Sequence, residues 1–120
     1  MVPSKSELVI ANELFHMKLD YQYERPFEGD DRTVWPDFTF VDAAGDLILW
    51  EHLGMLSLPS YSRDWARKKE WYEKNGFVLD LNLFTTEDDE RGGLDSTAVR
   101  ETAEIIFRLV WWHRYNLQAL

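Results

Sequence analysis

Apolar positions near the start of the chain recur at helical spacing: Leu8, Ile10, Ala11, Leu14 and Phe15. They follow Ser4-Lys5-Ser6-Glu7, in which a serine precedes a glutamate by three residues, the capping-box pattern that opens helices. The spacing predicts a helix from about Lys5 to Met17. Tyr21 to Phe27 reads as a strand, ended by Pro26 and the acidic turn Glu28-Gly29-Asp30-Asp31. Pro36 to Asp42 is aromatic and β-branched, Ala43-Ala44-Gly45-Asp46 is a turn, and Leu47 to Glu51 is a further strand, so these two strands form a hairpin. Gly54 and Pro59 punctuate the next stretch, and a helix is expected from about Ser60 to Lys74, stopped by Asn75-Gly76. Phe77 to Phe84, with Val78, Leu79, Leu81 and Leu83 apolar, reads as a strand. After Gly92-Gly93, Asp95 or Ser96 caps a last helix running to about Tyr115. The expected order is α-β-β-β-α-β-α, an α/β domain with a mixed sheet.

Length and composition reduce this to one unit. The 120 residues suit a single domain, 45% hydrophobic and 29% charged, without repeats or low-complexity tracts. Cysteine is absent, which excludes disulfides, thiolate zinc sites and cysteine nucleophiles, and fits a cytoplasmic protein. No apolar run approaches the roughly 20 residues of a membrane helix, so no membrane partner is expected. Thirteen basic residues against 22 acidic ones give a net charge of −9, which disfavours unassisted adsorption to nucleic acid. That charge does not exclude a nuclease, whose metal-binding carboxylates belong to the negative count.

Register decides whether two of those acids meet. If Asp42 pairs with Asp46 across a three-residue loop, Phe38 stands opposite Trp50, Thr39 opposite Leu49, and Asp37 opposite Glu51. Directly opposed residues have Cβ atoms about 4.5–5.5 Å apart. That separation suits two carboxylates sharing one divalent cation through oxygens at about 2.0–2.6 Å. Opposed like charges cost stability, so the pair asks for a compensating cation. A slip of one residue would put the acids on opposite faces. The alternative is that both acids sit at strand ends in water.

Three further residues attract attention. Glu7 lies at the edge of the first helix's apolar face and is a third carboxylate for the site, although its place in the capping box also accounts for it. Lys68 lies on one helical face with Tyr61, Trp65 and Tyr72, from which it can aim an amine into a site or snorkel at the rim of the core. His52 follows Glu51, and strand alternation turns its side chain to the other face, as a packing or hydrogen-bonding residue. The Ser60–Lys74 segment carries five basic residues against three acids, a locally positive element in a negative chain.

Taken together, these residues resemble the PD-(D/E)XK nuclease superfamily, whose core is restriction-endonuclease-like, and within it the nuclease-like domains of DNA helicase and repair proteins. The likeness rests on Ser4–Glu7, Tyr21–Glu24, Pro36-Asp37-Phe38, Trp50-Glu51-His52-Leu53-Gly54-Met55, Trp65–Lys68 and Gly92–Ser96, and so spans residues 4 to 96. The superfamily's lysine belongs two residues after the glutamate, where this chain has Leu53; in several members it has migrated to the neighbouring helix, which makes Lys68 the replacement. The resemblance implies phosphodiester hydrolysis in DNA. Asp37, Glu51 and the His52 backbone carbonyl would bind Mg²⁺ or Mn²⁺, with Glu7 supporting a water or a second cation. The cation would acidify a water and neutralise charge on the phosphate, and Lys68 would orient the water or stabilise the phosphorane. Tyr61, Arg63, Arg67 and Lys69 would contact DNA. A helicase domain, in the same or another chain, is the protein partner that fits this resemblance, and residues 1–120 would form one nuclease-like domain, either a whole protein or a piece of a longer helicase-like chain.

Two other classes compete. A degenerate nuclease fold would dock DNA or a helicase without cutting; the missing motif lysine favours it, and Trp111, Trp112 and Tyr115 offer a sticky end for another domain or a second copy. An acidic DNA mimic would spread its acids in rows along one face, whereas here they cluster in two loops and the proposed site.

Overall fold

Ser4 Oγ accepts the Glu7 amide at 3.1 Å while Glu7 Oε2 accepts the Ser4 amide at 2.7 Å, so both halves of a capping box open α1 (Lys5–His16). The computed structural model in which this is seen describes residues 4–119, with side chains as far as Trp111. The helix is followed by β1 (Gln22–Tyr23), β2 (Phe27–Glu28), β3 (Thr33–Val34), β4 (Phe38–Val41), β5 (Leu47–Leu53), α2 (Pro59–Lys74), β6 (Leu83–Glu87) and α3 (Ser96–Ala119). Four strands in the order β1-β4-β5-β6 make a mixed sheet, in which β5 runs antiparallel to β4 and parallel to β6. A separate antiparallel ribbon joins β2 to β3. The chain is therefore mixed α/β with three helices among the described residues. None of them is long and apolar enough to cross a membrane.

Two expected strands form differently. Tyr21–Phe27 is broken after Tyr23, because Glu24 takes a left-handed φ of 50° that a continuous strand cannot hold. Its second part pairs instead with Thr33–Val34, a strand the sequence pattern does not signal. The expected strand over Phe77–Phe84 starts only at Leu83. Asp80 has a φ of 65°, and Asn82 closes the preceding segment by accepting the Val78 amide at 2.7 Å and donating to the Gly76 carbonyl at 3.1 Å. These local side-chain bonds outcompete a ladder, and they leave Val78 and Leu81 exposed. Trp112 and Tyr115, read as a docking end, lie outside the described side chains.

β5 is covered on both faces. Ile48 and Trp50 join Phe38, Phe40 and Phe84 under Ile10, Leu14 and Ala103 of α1 and α3. Leu49 faces the opposite way, with Val34, Trp71, Tyr72, Phe77 and Leu83 beside α2. A strand buried on both sides is expected to be apolar throughout. Glu51 and His52 break that rule, and each needs a partner to offset its lost hydration.

Candidate active site

The hairpin turns on three residues, Ala43 to Gly45. The Asp42 amide donates to the Asp46 carbonyl at 3.0 Å, and Gly45 supplies the left-handed residue at φ 84° that such a loop requires. The register is the one derived from the turn: Phe38 opposes Trp50, Thr39 opposes Leu49, and Phe40 opposes Ile48. One step beyond Phe38 and Trp50 stand Asp37 and Glu51. The His52 amide donates to Asp37 Oδ2 at 2.7 Å, which ties the aspartate to the end of β5.

Glu51 is 4% exposed. One of its oxygens, Oε1, accepts the Tyr72 hydroxyl at 2.6 Å and stands 2.9 Å from Lys68 Nζ. Both donors come from α2, one turn apart. Burial and then the charge of Glu51 push the Tyr72 phenol far above its ordinary range. Asp37 responds in the same way: burial first and the charge of Glu51 second raise its carboxyl from 3.8 to about 8, against the lowering influence of the His52 amide and Lys68. Burial together with the charge of Glu51 therefore favours the protonated form of Asp37 near neutrality.

The other carboxylate singled out from the sequence, Glu7, serves two ends. It completes the capping box, and its Oε2 accepts the Tyr23 hydroxyl at 3.1 Å. It is also near enough to Asp37 for its charge to raise that group. Tyr61 is half-buried near the start of α2, and its hydroxyl accepts the Gly54 amide at 3.3 Å. Burial raises its phenol against the lowering influence of the Gly54 amide, and the charges of Asp37, Glu51 and Asp88 add to the rise.

His52 points to the opposite face, as alternation requires. Its Nε2 lies 2.8 Å from Asp88 Oδ1, and its Nδ1 lies 2.8 Å from Thr86 Oγ1, which also accepts the Trp50 indole at 3.0 Å. Ser6 Oγ donates to the same Asp88 oxygen at 2.8 Å. A carboxylate only accepts, so Nε2 carries a proton; in the neutral ring Nδ1 then accepts from the Thr86 hydroxyl. The network joins α1, β5, β6 and the acidic loop behind the site. Sequence reasoning placed His52 but missed Thr86, Asp88 and the Tyr72 hydroxyl.

The remaining basic residues of α2 do not gather at the acids. Arg63 is exposed. Arg67 lines a cleft of about 330 Å³ with Arg32, Trp71 and Lys74. Lys69 is 3.7 Å from Glu73, a pairing within the helix. Among the described residues, no three Asp, Glu or His side chains are disposed together to hold a metal ion. The unit present is a carboxylate pair with one ammonium group.

That pair nevertheless fits a small hard cation. Each acid has one oxygen engaged, Oδ2 of Asp37 and Oε1 of Glu51, while Asp37 Oδ1 and Glu51 Oε2 have no donor among the described residues. No buried side-chain polar atom among these residues lacks a partner, so the two spare oxygens open to solvent rather than into sealed space. Two carboxylate oxygens brought together at the β4–β5 hairpin have the hard-oxygen chemistry that Mg²⁺ or Mn²⁺ would use, with the rest of the coordination left to other oxygens.

Comparison with known proteins adds little to this geometry. No family model matches the chain, and no solved structure matches it. The chain is 38% identical over 104 residues to an uncharacterized protein of Methanocaldococcus jannaschii; the match covers 86% of this chain and 9% of that protein. The chain thus spans about one-eleventh of the length of this relative.

Proposed function

We propose that the chain is a metal-dependent nuclease domain of the PD-(D/E)XK type, with a restriction-endonuclease-like core, hydrolysing phosphodiester bonds in DNA. The observation that carries this reading is the meeting of Asp37 and Glu51 across the β4–β5 hairpin with Lys68 Nζ 2.9 Å from Glu51. The order of parts supports it: an acid-bearing hairpin at the centre of a mixed sheet, a helix that returns a lysine, and a strand parallel to β5. Asp37, Glu51 and the His52 carbonyl would hold Mg²⁺ or Mn²⁺, which when bound supplies a more acidic water and offsets charge on the phosphate. Lys68 exchanges its contact with Glu51 for one with the scissile phosphate, placing a positive charge where negative charge develops. Tyr61 borders the path by which the strand enters, and Glu7 adds negative charge beside Asp37 that strengthens its hold on a cation. DNA is the substrate and, in this reading, a helicase domain the natural partner.

The test is cleavage of plasmid, linear duplex and single-stranded DNA with Mg²⁺ or Mn²⁺, comparing the wild type with Asp37→Ala and Glu51→Ala. Cleavage that requires the metal and disappears in both variants is expected. Cleavage that survives both substitutions refutes the site. A second reading, a non-cutting module that docks DNA or a helicase, is favoured by one observation: the family's lysine position holds Leu53, which is buried in the sheet. DNA binding without cleavage under every metal condition selects that reading.

A further inference from the structure

Glu51 offers its two oxygens unequally. Both α2 donors, the Tyr72 hydroxyl and Lys68 Nζ, fall on Oε1, which leaves Oε2 as the oxygen free to act as a ligand. The two donors differ in permanence. Lys68 is partly exposed on a flexible stem, whereas Tyr72 is fully buried, with its ring packed among Trp71, Trp65 and Phe77. A phenol so held has one direction in which to donate, and at 2.6 Å it meets Glu51.

Carboxylate denticity separates the common divalent cations. Ca²⁺ takes 6–8 oxygens and commonly binds carboxylates through both oxygens at about 2.3–2.6 Å. Mg²⁺ takes about six at 2.0–2.1 Å, keeps several waters, and needs only single oxygens from one or two carboxylates. A glutamate with one oxygen held by a fixed donor, which takes one of that oxygen's two lone pairs, favours the second pattern over the first.

We propose that Tyr72 is a specificity-determining positioning residue: by occupying Oε1 it holds Glu51 as a one-oxygen ligand and biases the site toward Mg²⁺ and Mn²⁺ over Ca²⁺. The inference rests on the metal-site reading above and adds to it a residue and a selectivity. Tyr72→Phe keeps the ring and its packing and removes only the hydroxyl, which frees Oε1 to bind a large cation from both sides.

The experiment titrates Mg²⁺, Mn²⁺ and Ca²⁺ into the wild type, Tyr72→Phe and Trp71→Phe, reading binding by calorimetry and by the rise in melting temperature. Partners that orient a ligand typically alter metal affinity by roughly 10- to 100-fold. Tyr72→Phe is therefore expected to weaken Mg²⁺ and Mn²⁺ relative to Ca²⁺ by about tenfold or more. Trp71→Phe removes the neighbouring indole's bond to Asp31, 2.7 Å, and is expected to lower the melting temperature without changing that ratio. An unchanged ratio in Tyr72→Phe overturns the inference and leaves the metal site standing. Absence of any metal effect in the wild type overturns both. A Mn²⁺-soaked crystal of the wild type tests the same point without a variant: Glu51 bound through one oxygen supports it, and Glu51 bound through two refutes it.

Discussion

Asp37→Asn is expected to raise the melting temperature of the metal-free protein at pH 8 and to leave it nearly unchanged at pH 4. The sign follows from proton linkage. The Asp37 carboxyl lies at about 8 in the folded chain against an ordinary 3.8, so the folded state holds a proton that the unfolded state has released throughout that window. Stability that is complete below about pH 4 is lost as pH rises toward 8, and beyond it the loss is constant. Burial is the main cause and the charge of Glu51 the second; the amide side chain has no charge to bury, and its oxygen still accepts the His52 amide. A gain of even one or two kcal/mol in a chain of this size moves the melting temperature by roughly 5–10 °C. The check is a pair of melting curves across pH 4–9, wild type against variant, in chelator. Parallel curves, with no divergence as pH rises, contradict the placement of Asp37 beside Glu51. Added Mg²⁺ reverses the order at pH 8, because only the wild type gains from binding in the folded state.

Lys68→Ala carries the largest expected loss of activity short of the acids themselves. Its ammonium group is the one basic side chain paired with Glu51 among the described residues, and the other α2 cations lie elsewhere on the helix. Removing a preorganised positive donor from a developing anion typically costs about 10²–10³-fold in turnover. Metal affinity falls far less, since Tyr72 still fixes Glu51. Cleavage kinetics at saturating Mn²⁺ separate the two effects. Full turnover in Lys68→Ala would show that the ion pair is structural and that the displaced lysine has no part in the reaction.

Local chemistry made much of the hairpin legible. Asp42, Gly45 and the alternation from Phe38 to Trp50 fix a register, and a register fixes which side chains meet, so the opposition of Asp37 and Glu51 is legible in the sequence. The face formed by Tyr61, Trp65, Lys68 and Tyr72 likewise sets Lys68 among packing aromatics, which allows either an amine aimed into a site or one snorkelling at the rim, and its contact with Glu51 decides between them. Periodicity reports faces, however, and not where a polar tip ends. Tyr72 was visible as an aromatic packing residue, while its bond to Glu51 depends on α2 lying over β5, a tertiary fact. Thr86 and Asp88 were hidden for another reason. The apolar residues from Phe77 to Leu83 imitate a strand, Asn82 ties that segment into a turn, and the true strand lies a few residues further on. Misplacing β6 removed the partners of His52 from view.

The most direct test of the converging carboxylates is calorimetric titration of Mn²⁺ into the wild type, Asp37→Asn and Glu51→Gln at pH 7, repeated in buffers of different ionisation heat. The expected result is one ion per chain with release of roughly one proton, the proton that Asp37 retains in the free protein, and loss of that binding in both variants. Mn²⁺ binding that is undiminished in both variants, or no binding at millimolar Mn²⁺, would contradict it.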